Sequence, residues 1–167
     1  MASLTTLAVE LGEALKTRDL KLALAESCTG GMVAQMVTSV TGSSAWFDRG
    51  FVTYSNEAKM EMLGVSPQTL EKFGAVSEEI AVEMALGALK HSQAHIAGSI
   101  TGIAGPDGGS KEKPVGTVCF AWCFAQAGTK LPLSTTTQHF CGNREEIRQQ
   151  AAIAWMAGLI ERLKLPN

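Results

Sequence analysis

The chain has 167 residues, of which 46% are hydrophobic, and this length suits a single domain (residues 1–167) with a substantial core. Fourteen basic and sixteen acidic side chains give a formal charge of −2, which argues against nucleic acid or an anionic membrane surface as a partner. No apolar run approaches the roughly 18 residues of a membrane span, and the N-terminus lacks a secretory pattern, so we expect a cytoplasmic protein.

Hydrophobic periodicity and turn residues predict alternating helices and strands. The predicted elements are, in order, helix 4–17, strand 21–25, helix 30–40, strand 46–54 with a bend or bulge at Gly50, helices 57–63, 66–73 and 77–91, strand 96–100, strands 116–125 and 133–140, and a final helix capped by Asn143. The last two strands form a hairpin across residues 126–132 and make the sheet mixed. We therefore predict an α/β fold, a three-layer α/β/α sandwich around a mixed five-stranded sheet.

The turn after the first strand is the first candidate site. Ser27 follows an apolar strand and precedes a helix, and ligands of open α/β sheets collect at such turns. Its hydroxyl is either a nucleophile beside unpaired N–H groups or, together with Thr29, a cap of the helix. Cys28 is an alternative nucleophile, because helix N-termini activate thiolates.

Lys59 lies near the start of the third predicted helix. If Asn56 is the N-cap, Lys59 occupies the third helical position, where the helix dipole disfavours a cation. A lysine held there and partly buried has a lowered pKa, as a general base requires; the alternative is a solvated lysine. Tyr54 ends the preceding strand, and it either packs in the core or directs its hydroxyl into the same cleft.

Two later segments add further candidates. Thr101–Gly109 follows strand 96–100 and contains four glycines within eight residues, which lets the backbone approach a ligand closely. Arg144 and Arg148 are four apart near the start of the last helix and either clamp a phosphate or carboxylate or pair with surface acids. The four cysteines and three histidines lack zinc-ligand spacing, so we predict no metal site.

Three stretches together resemble the CinA C-terminal-domain family: Ala25–Gly31, Gly50–Lys59, and Thr101–Gly109 with Lys113–Thr117. The resemblance spans about residues 5–160. It implies hydrolysis of the carboxamide of nicotinamide mononucleotide (NMN) to nicotinate mononucleotide and ammonia, in bacterial pyridine-nucleotide salvage. It also implies a serine–lysine pair that uses no metal and no cofactor.

By motif, the resemblance assigns the nucleophile to Ser27 and the base to Lys59, with Tyr54 nearby. We predict that the N–H groups around Thr29, Gly30 and Gly31 form the oxyanion hole. The resemblance further implies a set of substrate-binding residues: Thr101, Gly102, Gly105, and Arg144 or, as second choice, Arg148.

Two other functions fit the sequence. In a non-catalytic nucleotide-binding module, the glycine turns would cradle a phosphate and Lys59 would contribute only charge. In a cysteine amidase, Cys28 would be the nucleophile. The apolar helix surface is compatible with a homodimer.

Overall fold

The computed structural model describes residues 3–125 and 133–165, and six α-helices and five strands lie within these ranges. In chain order they are α1 (Leu4–Thr17), β1 (Leu22–Glu26), α2 (Met32–Thr38), β2 (Phe47–Val52), α3 (Asn56–Leu63), α4 (Pro67–Phe73), α5 (Glu78–Lys90), β3 (Ile96–Gly102), β4 (Thr117–Phe124), β5 (Leu133–His139) and α6 (Arg144–Leu163). A short 3₁₀ turn, Ser43–Ala45, precedes β2. In the part of the chain that is described, no helix is both long and apolar enough to span a bilayer.

The strands form one five-stranded sheet in the order β2-β1-β3-β4-β5. Strand β1 pairs in parallel with both β2 and β3, whereas β4 is antiparallel to β3 and β5. The predicted mixed sheet and the pairing of the last two strands are therefore confirmed. The predicted turn over residues 126–132 lies outside the described residues.

Each face of the sheet has its own apolar core, because side chains alternate along a strand. Leu22 and Leu24 of β1 face a core shared with α1, α2 and α6, and that core also holds large aromatic side chains of β4. Ala23 and Ala25 face the other core, where small side chains let α5 pack closely on the sheet. Helices on both faces give the predicted three layers.

The order of the strands changes direction at β1, because β2 lies on one side of it and β3 on the other, and a crevice forms at this point. The connection from β1 to β2 runs through α2 on one face, and the connection from β2 to β3 runs through α3, α4 and α5 on the other. Neighbouring parallel strands thus send their following segments to opposite faces, and a cleft opens beyond their carboxyl ends.

The predicted bulge at Gly50 is wrong. The pairing register between β1 and β2 shifts between Leu22 and Ala23, which leaves Asp48 as the extra residue of β2, and Gly50 is paired regularly. The Asp48 carboxylate accepts the Gln93 N–H at 2.9 Å. This long-range contact holds the extra residue in place, and the local sequence of β2 does not reveal it.

Candidate active site

Ser27 and Lys59 meet at the carboxyl ends of β1 and β2. Lys59 Nζ lies 3.1 Å from Ser27 Oγ. Both side chains are buried, with 7% of Ser27 and 1% of Lys59 exposed. The Ser27 N–H donates to Ile100 O on β3 at 3.0 Å, and the Thr53 N–H beyond β2 donates to Glu26 O at 2.9 Å. The sheet therefore fixes the backbone on both sides of the pair.

The helix that carries Lys59 begins one residue earlier than predicted. Ser55, rather than Asn56, is the N-cap of α3, and its hydroxyl accepts the Ala58 N–H at 3.0 Å. Lys59 therefore occupies the fourth helical position and points inward. Ser and Asn are both strong caps, so two adjacent candidates left the sequence ambiguous by one residue.

The Lys59 amine is surrounded by neutral oxygens. Besides Ser27 Oγ, its Nζ lies 3.0 Å from Thr53 O and 3.1 Å from Tyr54 O, and it donates to both carbonyls. Within residues 3–125 and 133–165, no carboxylate pairs with it. Burial lowers the pKa of Lys59 below its ordinary value of 10.5, and the weaker influence of Cys28 opposes this shift.

The three contacts fit an ammonium, which donates to all three oxygens, and they equally fit a neutral amine. A neutral lysine has two N–H donors and one lone pair, and the carbonyls of Thr53 and Tyr54 can accept both donors. The lone pair is then left for the Ser27 hydroxyl. This arrangement can remove the hydroxyl proton, which is the task of a general base.

Neither Ser27 nor Thr29 caps α2, because Glu26 does. The buried Glu26 carboxylate accepts the N–H groups of Val33 and Ala34, both at 3.0 Å, and the Thr29 hydroxyl at 2.6 Å. This leaves the Ser27 hydroxyl to Lys59. We did not predict a role for Glu26; a carboxylate at the end of an apolar strand and just before a helix is the signal that could have suggested one.

A cavity of about 220 Å³ opens beside the pair. Six predicted site residues line it, from four stretches of the chain: Ser27, Tyr54, Lys59, Thr101, Gly102 and Arg144. Cys28 also contributes. The remaining lining residues had no predicted role in a site: Asn56, Ala75, Val76 and Ala104. Asn56 and Ala104 lie within the second and third matching stretches, whereas Ala75 and Val76 are small apolar residues of a connecting loop without such a signal.

Tyr54 and Arg144 form the outer edge of the cavity. Arg144 donates to the Tyr54 hydroxyl at 2.9 Å and to Gly105 O at 2.7 Å. Tyr54 is 61% exposed, so it does not pack in the core. Arg144 does not pair with a surface acid in the described structure and lies where a ligand can reach it.

Five other predicted residues lie near the site without lining the cavity: Thr29, Gly30, Gly31, Gly105 and Arg148. Arg148 donates to Cys28 O at 2.9 Å and to Thr29 O at 3.1 Å, so it does not pair with a surface acid either. The Gly30 N–H donates to Ser27 O at 3.0 Å, so this predicted oxyanion donor is already engaged in a hydrogen bond. Among described residues, the N–H groups of Cys28, Thr29 and Gly31 donate to no acceptor.

The Cys28 thiol is a poor nucleophile in this environment. It is buried, and burial raises its pKa to about 12. The thiol therefore stays protonated at neutral pH, whereas a cysteine nucleophile reacts as the thiolate. Residues 3–125 and 133–165 contain no cluster of three or more His, Cys, Asp or Glu side chains suited to a metal ion.

Fold and site together define an α/β protein with a buried serine–lysine pair in the crevice beside its first strand. The family model described as CinA C-terminal domain matches residues 4–163. The chain belongs to this family, and the resemblance found in its three sequence stretches is confirmed.

Curated relatives match over most of their length. The chain is 55% identical over 150 residues to nicotinamide-nucleotide amidohydrolase PncC of Escherichia coli (strain K12), covering 90% of this chain and 88% of the relative. The protein of the same name from Pseudomonas putida is 45% identical over 161 residues, covering 96% and 98%.

Among solved structures, the competence/damage inducible protein CihA of Agrobacterium tumefaciens is similar, with a TM-score of 0.91 and 42% identity, covering 97% of this chain and 96% of that one. The competence damage-inducible protein A of Klebsiella pneumoniae also has a TM-score of 0.91, with 38% identity and coverage of 97% and 98%. The predicted fold agrees with these neighbours.

Proposed function

We propose that this protein hydrolyses the carboxamide of NMN to nicotinate mononucleotide and ammonia, with Ser27 as nucleophile and Lys59 as the proton carrier, in pyridine-nucleotide salvage. Relatives named nicotinamide-nucleotide amidohydrolase, 45% to 57% identical to the chain, support the substrate and the reaction. The 3.1 Å contact between Lys59 Nζ and Ser27 Oγ, inside a buried site, carries the mechanism.

The first half of the reaction forms an acyl-enzyme. Neutral Lys59 takes the Ser27 proton as Oγ attacks the carboxamide carbon, and the carbonyl oxygen becomes an oxyanion. The N–H groups of Cys28, which lines the cavity, and of Thr29 beside it are free donors among the described residues for that oxyanion. The Lys59 ammonium then returns its proton to the amide nitrogen, the C–N bond breaks, and ammonia leaves an ester on Ser27.

The second half consumes water. Lys59, neutral again, takes a proton from a water molecule that attacks the ester carbon. The tetrahedral intermediate collapses, Lys59 returns the proton to Ser27 Oγ, and nicotinate mononucleotide is released. The carbonyls of Thr53 and Tyr54 keep Nζ in place through both proton transfers.

The cavity size suggests which parts of NMN lie inside the cavity and which stay at its edge. About 220 Å³ is below the roughly 300–1,000 Å³ of pockets that enclose a drug-sized ligand. We infer that the pyridine ring and carboxamide enter, while the ribose phosphate stays at the edge. Arg144 is exposed there and can meet the phosphate by exchanging one of its present partners.

A test measures ammonia released from NMN by the purified chain without added metal. Ser27→Ala and Lys59→Met should each lower kcat by at least about 10³-fold while the fold is retained. Ser44→Ala and Lys90→Met change exposed residues far from the cavity and serve as matched controls with unchanged turnover. Turnover by Ser27→Ala would contradict the mechanism, and so would a loss of wild-type turnover on addition of EDTA.

The same preparation separates the alternatives. Calorimetric binding of NMN without ammonia release would indicate a nucleotide-binding module instead of an enzyme. If Cys28→Ser fell to the level of Ser27→Ala, the thiol would be the nucleophile; we expect it to stay far above that level. A homodimer and a cytoplasmic location stay predictions.

A further inference from the structure

Arg148 lies behind the nucleophile turn and outside the cavity. From the second turn of α6 it reaches residues about 120 positions earlier, donating through Nε to Cys28 O and through Nη2 to Thr29 O. A Cβ atom on Gly30 would lie 3.3 Å from the same Nη2, so the guanidinium packs directly against the turn. Both described donor contacts go to backbone carbonyls of the segment that carries Ser27.

One of these two carbonyls belongs to a peptide group that matters for the chemistry. The Cys28 carbonyl shares its peptide group with the Thr29 N–H, which donates to no acceptor among described residues. A cation bound to a carbonyl oxygen draws electron density from the peptide group and makes its N–H a stronger donor. The bond to Cys28 O also restrains the orientation of that peptide group and so the direction of its N–H, and the bond to Thr29 O restrains the peptide group that follows.

We propose that Arg148 is a positioning residue that orients and polarises the Cys28–Thr29 peptide group, so that the Thr29 N–H stabilises the oxyanion formed on attack by Ser27. This inference rests on the proposed serine mechanism and replaces the prediction that Arg148 contacts the substrate. Lysine cannot do the same, because one ammonium lacks the rigid fork that spans two carbonyls.

The role differs measurably from substrate binding and from mere support of the fold. An interaction made only in the transition state lowers kcat and leaves KM nearly unchanged, whereas a lost phosphate contact raises KM. Removal of a whole oxyanion donor costs about 10²–10³-fold in kcat. Weakening a donor that stays in place should cost less, about 10- to 100-fold.

The experiment compares wild type, Arg148→Gln, Arg148→Lys and the exposed neighbour Gln149→Ala. Steady-state ammonia release from NMN gives kcat and KM, and thermal melting reports folding. In parallel, a fluorophosphonate probe phosphonylates activated serine with loss of fluoride, and intact mass gives its rate at Ser27. This second measurement needs an oxyanion hole but no amide turnover.

We expect both Arg148 variants to lose about 10- to 100-fold in kcat and in labelling rate, with KM within about threefold of wild type and Gln149→Ala unchanged. Wild-type kcat in Arg148→Gln, or a rise in KM with kcat intact, would overturn the inference. If wild type is labelled at Ser27 but releases no ammonia from NMN, the proposed function fails, and the labelling rates still decide the role of Arg148. If wild type does neither, both proposals fail.

Discussion

Glu26→Gln should destabilise the protein strongly although it changes a single atom. The carboxylate uses one oxygen for Thr29 and Val33 and the other for Ala34. In glutamine an NH₂ group replaces one oxygen and faces the N–H that oxygen served, donor against donor. One hydrogen bond to a charged group is lost, worth about 1.5–3 kcal/mol. The negative charge at the helix start adds about 0.3–1 kcal/mol.

The expected loss is therefore about 2–4 kcal/mol of a typical total of about 5–15 kcal/mol. For a chain of this size it lowers Tm by about 4–16 °C. Urea unfolding followed by circular dichroism measures it, with the exposed Glu13→Gln as control, expected within about 0.5 kcal/mol of wild type. If Glu26→Gln also stays within about 0.5 kcal/mol, the capping role assigned to this carboxylate is wrong.

The lowered pKa of Lys59 predicts that kcat/KM rises with pH, with a midpoint below 10.5, because only the neutral amine accepts a proton. The free energy of unfolding of wild type relative to Lys59→Met should also rise with pH between the folded-state pKa and 10.5, since the unfolded chain still binds the proton there; urea titrations across pH test the sign. Gly98→Ala should cost about 1–3 kcal/mol, because its Cβ would lie 2.1 Å from Trp155 Cζ2. Gly50→Ala, whose nearest neighbour is 3.5 Å away, is the control, and equal melting of the two variants would contradict the steric argument.

The fold was predictable because its signals are local. Alternation in β1, the helical spacing of α1 and the cap at Asn143 depend on residues within one or two turns of each other. The wrongly placed bulge, unlike the N-cap that was wrong by one residue, depends on a partner distant in the sequence. Asp48 is the bulged residue because Gln93 binds it, and no feature of β2 indicates that contact.

The candidate site was predictable as a set of segments but not as an arrangement. Ser27 and Lys59 each had a purely structural explanation beside the catalytic one, and the contact that supports the catalytic one is visible only in three dimensions. Arg148 looked like an anion clamp because its spacing from Arg144 fits one, yet its partners are two carbonyls about 120 positions away. Because every residue has a backbone carbonyl, the residue types at these positions do not indicate the contact.

The place of β2 at the sheet edge links activity to a weak point of the fold. Ser27 follows a central strand, but Lys59 follows an edge strand that is paired on one side only. Edge elements detach at lower free energy than the centre of a sheet, and a slip of one residue moves a strand by about 3.3 Å. This displacement exceeds the 3.1 Å between Lys59 Nζ and Ser27 Oγ, so a slip of β2 would break their contact. On heating, activity should therefore be lost while the core is still folded. Heat inactivation should have a lower midpoint temperature than global unfolding.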